Sequence, residues 1–234
     1  MVYLAPVPTF YTIYKKKSTG EFQCFPYVIT LFSSMLWVYY ACLKSNALLL
    51  LIINFIGCFI EIGYIIMYLI YAPRTTKLIT ARTVAFLNIA MFGLILACTL
   101  LLSHGHQRTN ILGWICAAFS ACVFVAPLSI MRLVILTKSV EFMPFFLSFS
   151  LTINASIWLG YGVLSKDKFV ALPNILGLVL GILQIALYCV YKDAKPKRTI
   201  LPVSVTAVPT IVPVSYQRSE ADNVEEDGED RARI

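Results

Sequence analysis

Residues 5–18 read APVPTFYTIYKKKS and residues 126–139 read APLSIMRLVILTKS. Each stretch opens on Ala-Pro and closes on Lys-Ser, and the two lie 121 positions apart. Downstream the register holds: Trp37 and Tyr40 recur as Trp158 and Tyr161 at an offset of 121, and Asn54 and Gly57 recur as Asn174 and Gly177 at 120. Between these landmarks Glu21, Phe22 and Pro26 find counterparts in Glu141, Phe142 and Pro144, with a deletion of three residues that is restored before the tryptophan. Correspondence kept in register over such a length marks a duplicated unit. The chain reads as two copies of that unit with a connector between them.

Composition says what the unit is made of. Of 234 residues, 59% are hydrophobic and only 13% charged, against roughly 45 to 50% apolar and about 25% charged in soluble domains. So few charges cannot cover a soluble surface, so the apolar residues face lipid. A spanning helix needs about 20 residues, the hydrocarbon thickness divided by the helical rise. Six runs meet this approximately: 25–43, 47–72, 83–103, 111–137, 142–164 and 169–191. A seventh, 1–14, ends at Lys15, Lys16 and Lys17, and reaches only about 21 Å at 1.5 Å per residue. It has neither the basic start nor the small-residue cleavage site of a signal peptide. It is expected to be the second half of a helix whose first half this chain lacks.

The expected fold class is therefore an all-α polytopic membrane protein of seven transmembrane helices, arranged as two parallel three-helix repeats joined by a linker helix, with helix 1 truncated. Three helices reverse the chain, so a single helix must return it before a second copy inserts in the same orientation. The expected divisions are a first repeat over 1–72, the linker helix and its flanking loops over 73–110, a second repeat over 111–194, and a tail over 195–234. Loops rich in Lys and Arg stay in the cytoplasm. Lys15, Lys16, Lys17, Arg74, Lys77, Arg82, Arg132, Lys138, Lys192, Lys195, Lys197 and Arg198 fall on one side and Lys44, Arg108, Lys166 and Lys168 on the other, 12 against 4. This predicts an external N-terminus and a cytosolic C-terminus. The formal charge of +7 divides into +8 before Lys195 and −1 from Lys195 onward, so the excess lies mainly on loops and calls for no nucleic acid. The tail carries four prolines and then Glu225, Glu226, Asp227, Glu229 and Asp230. Such a composition forms no core and predicts a disordered cytosolic tail.

Enzyme chemistry finds no support. His104 and His106 stand in an HGH loop with no Cys or carboxylate at ligand spacing. The seven cysteines lie in or beside apolar runs without CxxC spacing, and no phosphate-binding or nucleophile-elbow motif occurs. No metal or cofactor is expected.

What remains within the spans is sparse, polar and paired. Asn54 and Asn174 each present an amide that lipid cannot satisfy; helix-to-helix bonding competes with ligand contact as its use, and the symmetric pairing favours the ligand. Trp37 and Trp158 fit an interfacial belt less well, since each has apolar residues on both sides within its run. Indole faces stack on the C–H faces of a sugar ring while amides bond its hydroxyls, so this set suits a neutral polyhydroxylated ligand. Pro6, Pro26, Pro127 and Pro144, one on each of the first two helices of each repeat, suggest hinges for an inner gate. Glu61, whose counterpart is Gly181, is either a proton-coupling acid or the partner of a nearby Arg or Lys. Asp167 is either a solvated loop acid or a group at the outer mouth bonded by Tyr40 and Tyr161.

The segments LAPVPTFYTIYKKKST, WVYY, NFIGC, APLSIM, VEFMP and VALPN closely resemble the SWEET sugar transporters of plants, from Tyr3 to about Lys192, and most of all the branch that moves sucrose. SWEET transporters are themselves known examples of the parallel-repeat plan. The resemblance implies bidirectional, energy-independent sugar transport by alternating access. It implies core sugar contacts from Trp37, Trp158, Asn54 and Asn174, and control of sugar size by Ser33, Asn154, Val123 and Ser120. It implies a cytosolic hinge set of Pro6, Pro26, Pro127 and Pro144, and an outer gate of Tyr40, Tyr161 and Asp167. Asn154 stands where Ser is common. Sugar and the bilayer are the implied partners, with homo-oligomers and residence in the plasma membrane.

Overall fold

The structure, a computed structural model, describes residues 2–4, 6–20, 22–122, 124–140, 143 and 145–192. The tail therefore lies outside the described residues. A 3-10 turn, Val2–Leu4, precedes α1, Val7–Lys16. Then come α2, Phe25–Leu43, and α3, Leu48–Tyr71. The linker is α4, Arg74–Val84, a π-helical segment, Ala85–Met91, and α5, Phe92–Leu102. The second repeat is α6, Gly105–Cys122, with α7, Val125–Thr137, followed by α8, Phe145–Leu164, and α9, Lys168–Tyr191. Every element described is helical, and six helical runs are long and apolar enough to cross a membrane: Phe25–Leu43, Leu48–Tyr71, Arg74–Leu102, Gly105–Thr137, Phe145–Leu164 and Lys168–Tyr191. The chain is a multi-pass membrane protein of two three-helix repeats and a linker.

The turns obey the repeat as closely as the helices. Among the described non-glycine residues, positive φ occurs at Lys17 (53°), Asn46 (62°), Lys138 (56°) and Lys166 (53°). Lys17 and Lys138 end α1 and α7 in the left-handed cap that closes a helix. Asn46 and Lys166 turn the chain between the second and third helices of each repeat.

Two expected spans differ in detail. The linker helix begins at Arg74 rather than near residue 83, because a polar first turn such as RTTK is compatible with helix although hydropathy does not register it. The run 111–137 is not one helix: α6 ends at Cys122 and α7 begins at Val125. Pro127 has no N–H to donate to a helical ladder, so the helix is interrupted just before it. Phe124 N–H instead closes a tighter turn on the Ala121 carbonyl at 3.1 Å.

Buried residues gather in two cores. One, with Phe32, Leu36, Tyr40, Ala41, Leu50, Leu112, Cys116, Phe169 and Val170, draws on both repeats. The other, with Phe10, Ile13, Cys24, Val28, Leu31, Tyr64, Ile65, Tyr68 and Ala72, comes from the first repeat, with Val84 and Leu87 of the linker packed against it. The repeats are thus packed together at the end where α2 meets the start of α9, and each stands more by itself at the end marked by Lys17. The linker is tied on by Asn88 in the π segment, whose amide reaches the Val28 carbonyl at 3.4 Å. Arg108 covers the end of α5 by donating to the Thr99, Leu100 and Ser103 carbonyls at 2.9–3.2 Å, acceptors that a helix leaves unpaired at its C-terminus.

Candidate functional site

At the packed end, Asp167 caps α9 through its carboxylate, which accepts from the Phe169 and Val170 N–H groups at 3.0 and 3.4 Å. The Tyr40 hydroxyl on α2 donates to the same carboxylate, 3.0 and 3.1 Å from its two oxygens, and Lys44 pairs with it. Asp167 is only 3% exposed, so it is a buried closure and not a solvated loop acid. One carboxylate thereby ties the end of the first repeat's second helix to the start of the second repeat's third helix. Charge-assisted bonds of this kind contribute about 1.5–3 kcal/mol each. Tyr161 is not among the donors to Asp167; it lines a pocket of about 320 Å³ with Lys44, Ala47, Leu164 and Asp167. Lys44 was not foreseen as part of this closure, since one lysine on the sparsely basic side carries no sequence signal.

One turn further in stand the indoles. Trp37 lies edge-on to Tyr40 at 5.6 Å and 90°, and Trp158 lies edge-on to Tyr161 at 5.6 Å and 85°. Both indoles are half-buried and pack against the core shared by the repeats, whereas the third tryptophan, Trp114, is 50% exposed. Trp37 Nε1–H donates to Ser120 Oγ on α6 at 3.3 Å, across the two repeats. Ser33 and Asn154, each half-buried, precede Trp37 and Trp158 by one helical turn, and so share a face with them. Val123 lies outside the described residues.

The asparagines follow the same symmetry. Asn54 Nδ2 donates to the Leu50 carbonyl at 2.8 Å, and Asn174 Nδ2 to the Val170 carbonyl at 2.7 Å. Asn54 is also engaged by Tyr3, whose hydroxyl donates to its Oδ1 at 3.3 Å. Sequence reading did not select Tyr3, an apparent apolar-run tyrosine with nothing nearby in sequence to pair with.

The prolines begin helices. Pro6 is the N-cap of α1, Pro26 lies in the first turn of α2 and Pro127 in the first turn of α7, positions where a missing N–H costs nothing. Pro6 and Pro127 therefore mark breaks at equivalent points of the two repeats, while Pro26 is exposed and starts its helix. Pro144 lies outside the described residues. At the Lys17 end two further contacts repeat: Lys17 Nζ donates to the Tyr71 hydroxyl at 3.1 Å and Lys138 Nζ to the Tyr191 hydroxyl at 2.8 Å. Accepting that bond, Tyr71 raises the pKa of the exposed Lys17 ammonium.

Glu61 is only 2% exposed, and its Oε2 has no hydrogen-bond partner. The expected Arg or Lys partner is not there: the one ion pair among the described residues is that of Lys44 with Asp167. The ionisable side chains around Glu61 are Tyr3, Cys24, Tyr27, Cys58 and Tyr64.

A family model described as sugar efflux transporter for intercellular exchange matches residues 1–76 and 110–196. The bidirectional sugar transporter SWEET15 of Oryza sativa subsp. japonica is 60% identical over 196 residues, 84% of this chain and 61% of that protein. The chain thus spans about three-fifths of the length of that relative. SWEET9 of Arabidopsis thaliana, also named a bidirectional sugar transporter, is 48% identical over 232 residues, 96% of this chain and 89% of that one. Among solved structures, that of a eukaryotic SWEET transporter superposes with a TM-score of 0.76 at 33% identity, covering 82% of this chain and 90% of the other. With both halves of its sequence matched by the family model and its helices following the solved fold, the chain belongs to the MtN3/SWEET family of sugar efflux transporters.

Proposed function

We propose that this protein is a bidirectional, facilitative sugar carrier, a uniporter working by alternating access and not an enzyme. The observation that carries the reading is the symmetric set of Trp37, Trp158, Asn54 and Asn174 beneath the Asp167 closure that joins the two repeats. Indole faces and amides suit a neutral sugar, whereas an anion would call for Arg or Lys at the same level. Ser33, Asn154, Val123 and Ser120 set the room around the sugar, and Tyr40, Tyr161 and Asp167 form the outer gate. The breaks marked by Pro6 and Pro127, with Pro26 and Pro144, serve as the inner hinges.

Within the sugars we assign sucrose, on the motif resemblance to the sucrose-moving branch. The protein works as a homo-oligomer in the plasma membrane, its N-terminus outside and its tail over 195–234 in the cytosol, after repeats over 1–72 and 111–194 and a linker over 73–110. The test is flux of labelled sucrose in transport-null cells. Trp37→Ala and Asn174→Ala are each expected to abolish flux while the protein still reaches the membrane; undiminished flux in both would overturn the site assignment.

A further inference from the structure

The two asparagines hold equivalent positions, yet they are not equally available. Asn54 is 6% exposed, and both ends of its amide are engaged, Nδ2 by Leu50 and Oδ1 by Tyr3. Asn174 is half-buried, and its shown bond is the one from Nδ2 to Val170. The difference traces to one pair of residues, Tyr3 and Phe124, which are 121 positions apart like the tryptophans. Each ring lies against the glycine three residues beyond its asparagine. A Cβ at Gly57 would overlap the Tyr3 ring, and one at Gly177 would come within 2.9 Å of the Phe124 Cζ. The rings are placed alike, but only Tyr3 carries a hydroxyl.

The surroundings of that hydroxyl are asymmetric in the same sense. With its single proton given to Asn54, the Tyr3 oxygen accepts from Ser34 Oγ at 3.1 Å. Ser34 is 2% exposed, and its counterpart in the second repeat is Ala155. The donor and the hydroxyl that needs it are thus present together in one repeat and absent together in the other. Tyr3 is also fixed through its backbone, whose carbonyl accepts from the Tyr64 hydroxyl at 3.0 Å.

We propose that Tyr3 caps Asn54 and limits affinity at the sugar site, its phenol hydroxyl standing where a sugar hydroxyl would bond Asn54. The sugar meets the uncapped Asn174 first and gains Asn54 only by exchanging its own hydroxyl for that of Tyr3. This rests on the sugar-site reading given above. Because the exchange forfeits one neutral hydrogen bond, the cap weakens sugar affinity by about fivefold.

The full chain in lipid nanodiscs, titrated calorimetrically with sucrose and with glucose, provides the test. Tyr3→Phe keeps the ring against Gly57 and removes the hydroxyl, so its Kd is expected to fall about fivefold. Phe124→Tyr places a hydroxyl at Asn174, and its Kd is expected to rise. A residue that only fills space would give no such opposite shifts. Should Tyr3→Phe fail to fold, Phe124→Tyr decides alone. A wild type that binds neither sugar overturns the sugar-site reading and this inference with it. Wild-type binding with an unchanged or weakened Tyr3→Phe, or an unchanged Phe124→Tyr, overturns this inference alone.

Discussion

Asp167 shows how one side chain can couple two halves of a molecule. It caps α9, receives Tyr40 and pairs with Lys44 while almost fully buried, so loss of any partner is felt by both repeats. Tyr40→Phe removes one charge-assisted bond, about 1.5–3 kcal/mol, and is expected to populate the conformer open at this end. Cys116, 1% exposed within the same core, reports it: labelling by a membrane-impermeant thiol reagent should rise in Tyr40→Phe above that of the exposed cysteines, and this increase should vanish with Cys116→Ser. Unchanged labelling would mean that the bond does not hold this end shut. Glu61 makes a contrasting case. With no countercharge beside it, Glu61→Gln keeps the shape and removes the need to bury a carboxyl group. Sugar flux, and its insensitivity to pH, are expected to survive that change. A loss of flux, or a pH profile abolished by Glu61→Gln, would point to proton coupling.

At the scale of helices, the ends and interruptions matter more than the apolar middles. Arg108 supplies the acceptor groups at the end of α5 with donors from the start of α6. Arg108→Ala leaves those carbonyls uncovered, and is expected to cost about 1.5–3 kcal/mol, read as a lower melting temperature in detergent with sucrose affinity unchanged. The helices themselves were legible in the sequence wherever an apolar run met the length of a bilayer. The break before Pro127 was legible only through the proline itself, because hydropathy runs through it unchanged. The early start of the linker at Arg74 escaped for the opposite reason, since a polar helical turn does not register as apolar.

The molecule as a whole is a duplicated unit used unequally. The duplication was readable from Ala5-Pro6 and Ala126-Pro127 onward, and it selected Trp37, Trp158, Asn54 and Asn174 before any geometry was known. Contacts that break the symmetry were hidden, because no local pattern announces that Tyr3 covers Asn54, or that Lys44 reaches Asp167 across the chain. The repeats share a core at the Asp167 end, while the core at the Lys17 end is built from the first repeat and the linker. Alternating access follows if the shared core can open when the opposite ends come together. The pairs of Lys17 with Tyr71 and Lys138 with Tyr191 fasten each repeat's first helix to its third.

The most direct measurement is counterflow of labelled sucrose by the purified protein in sealed vesicles, without a proton gradient. A facilitative carrier accumulates label transiently against unlabelled sucrose preloaded on the far side, from either direction, and loses this when Trp37 or Asn174 is replaced by Ala. Vesicles that show no counterflow, or show it only when a proton gradient is imposed, would contradict a sugar uniporter.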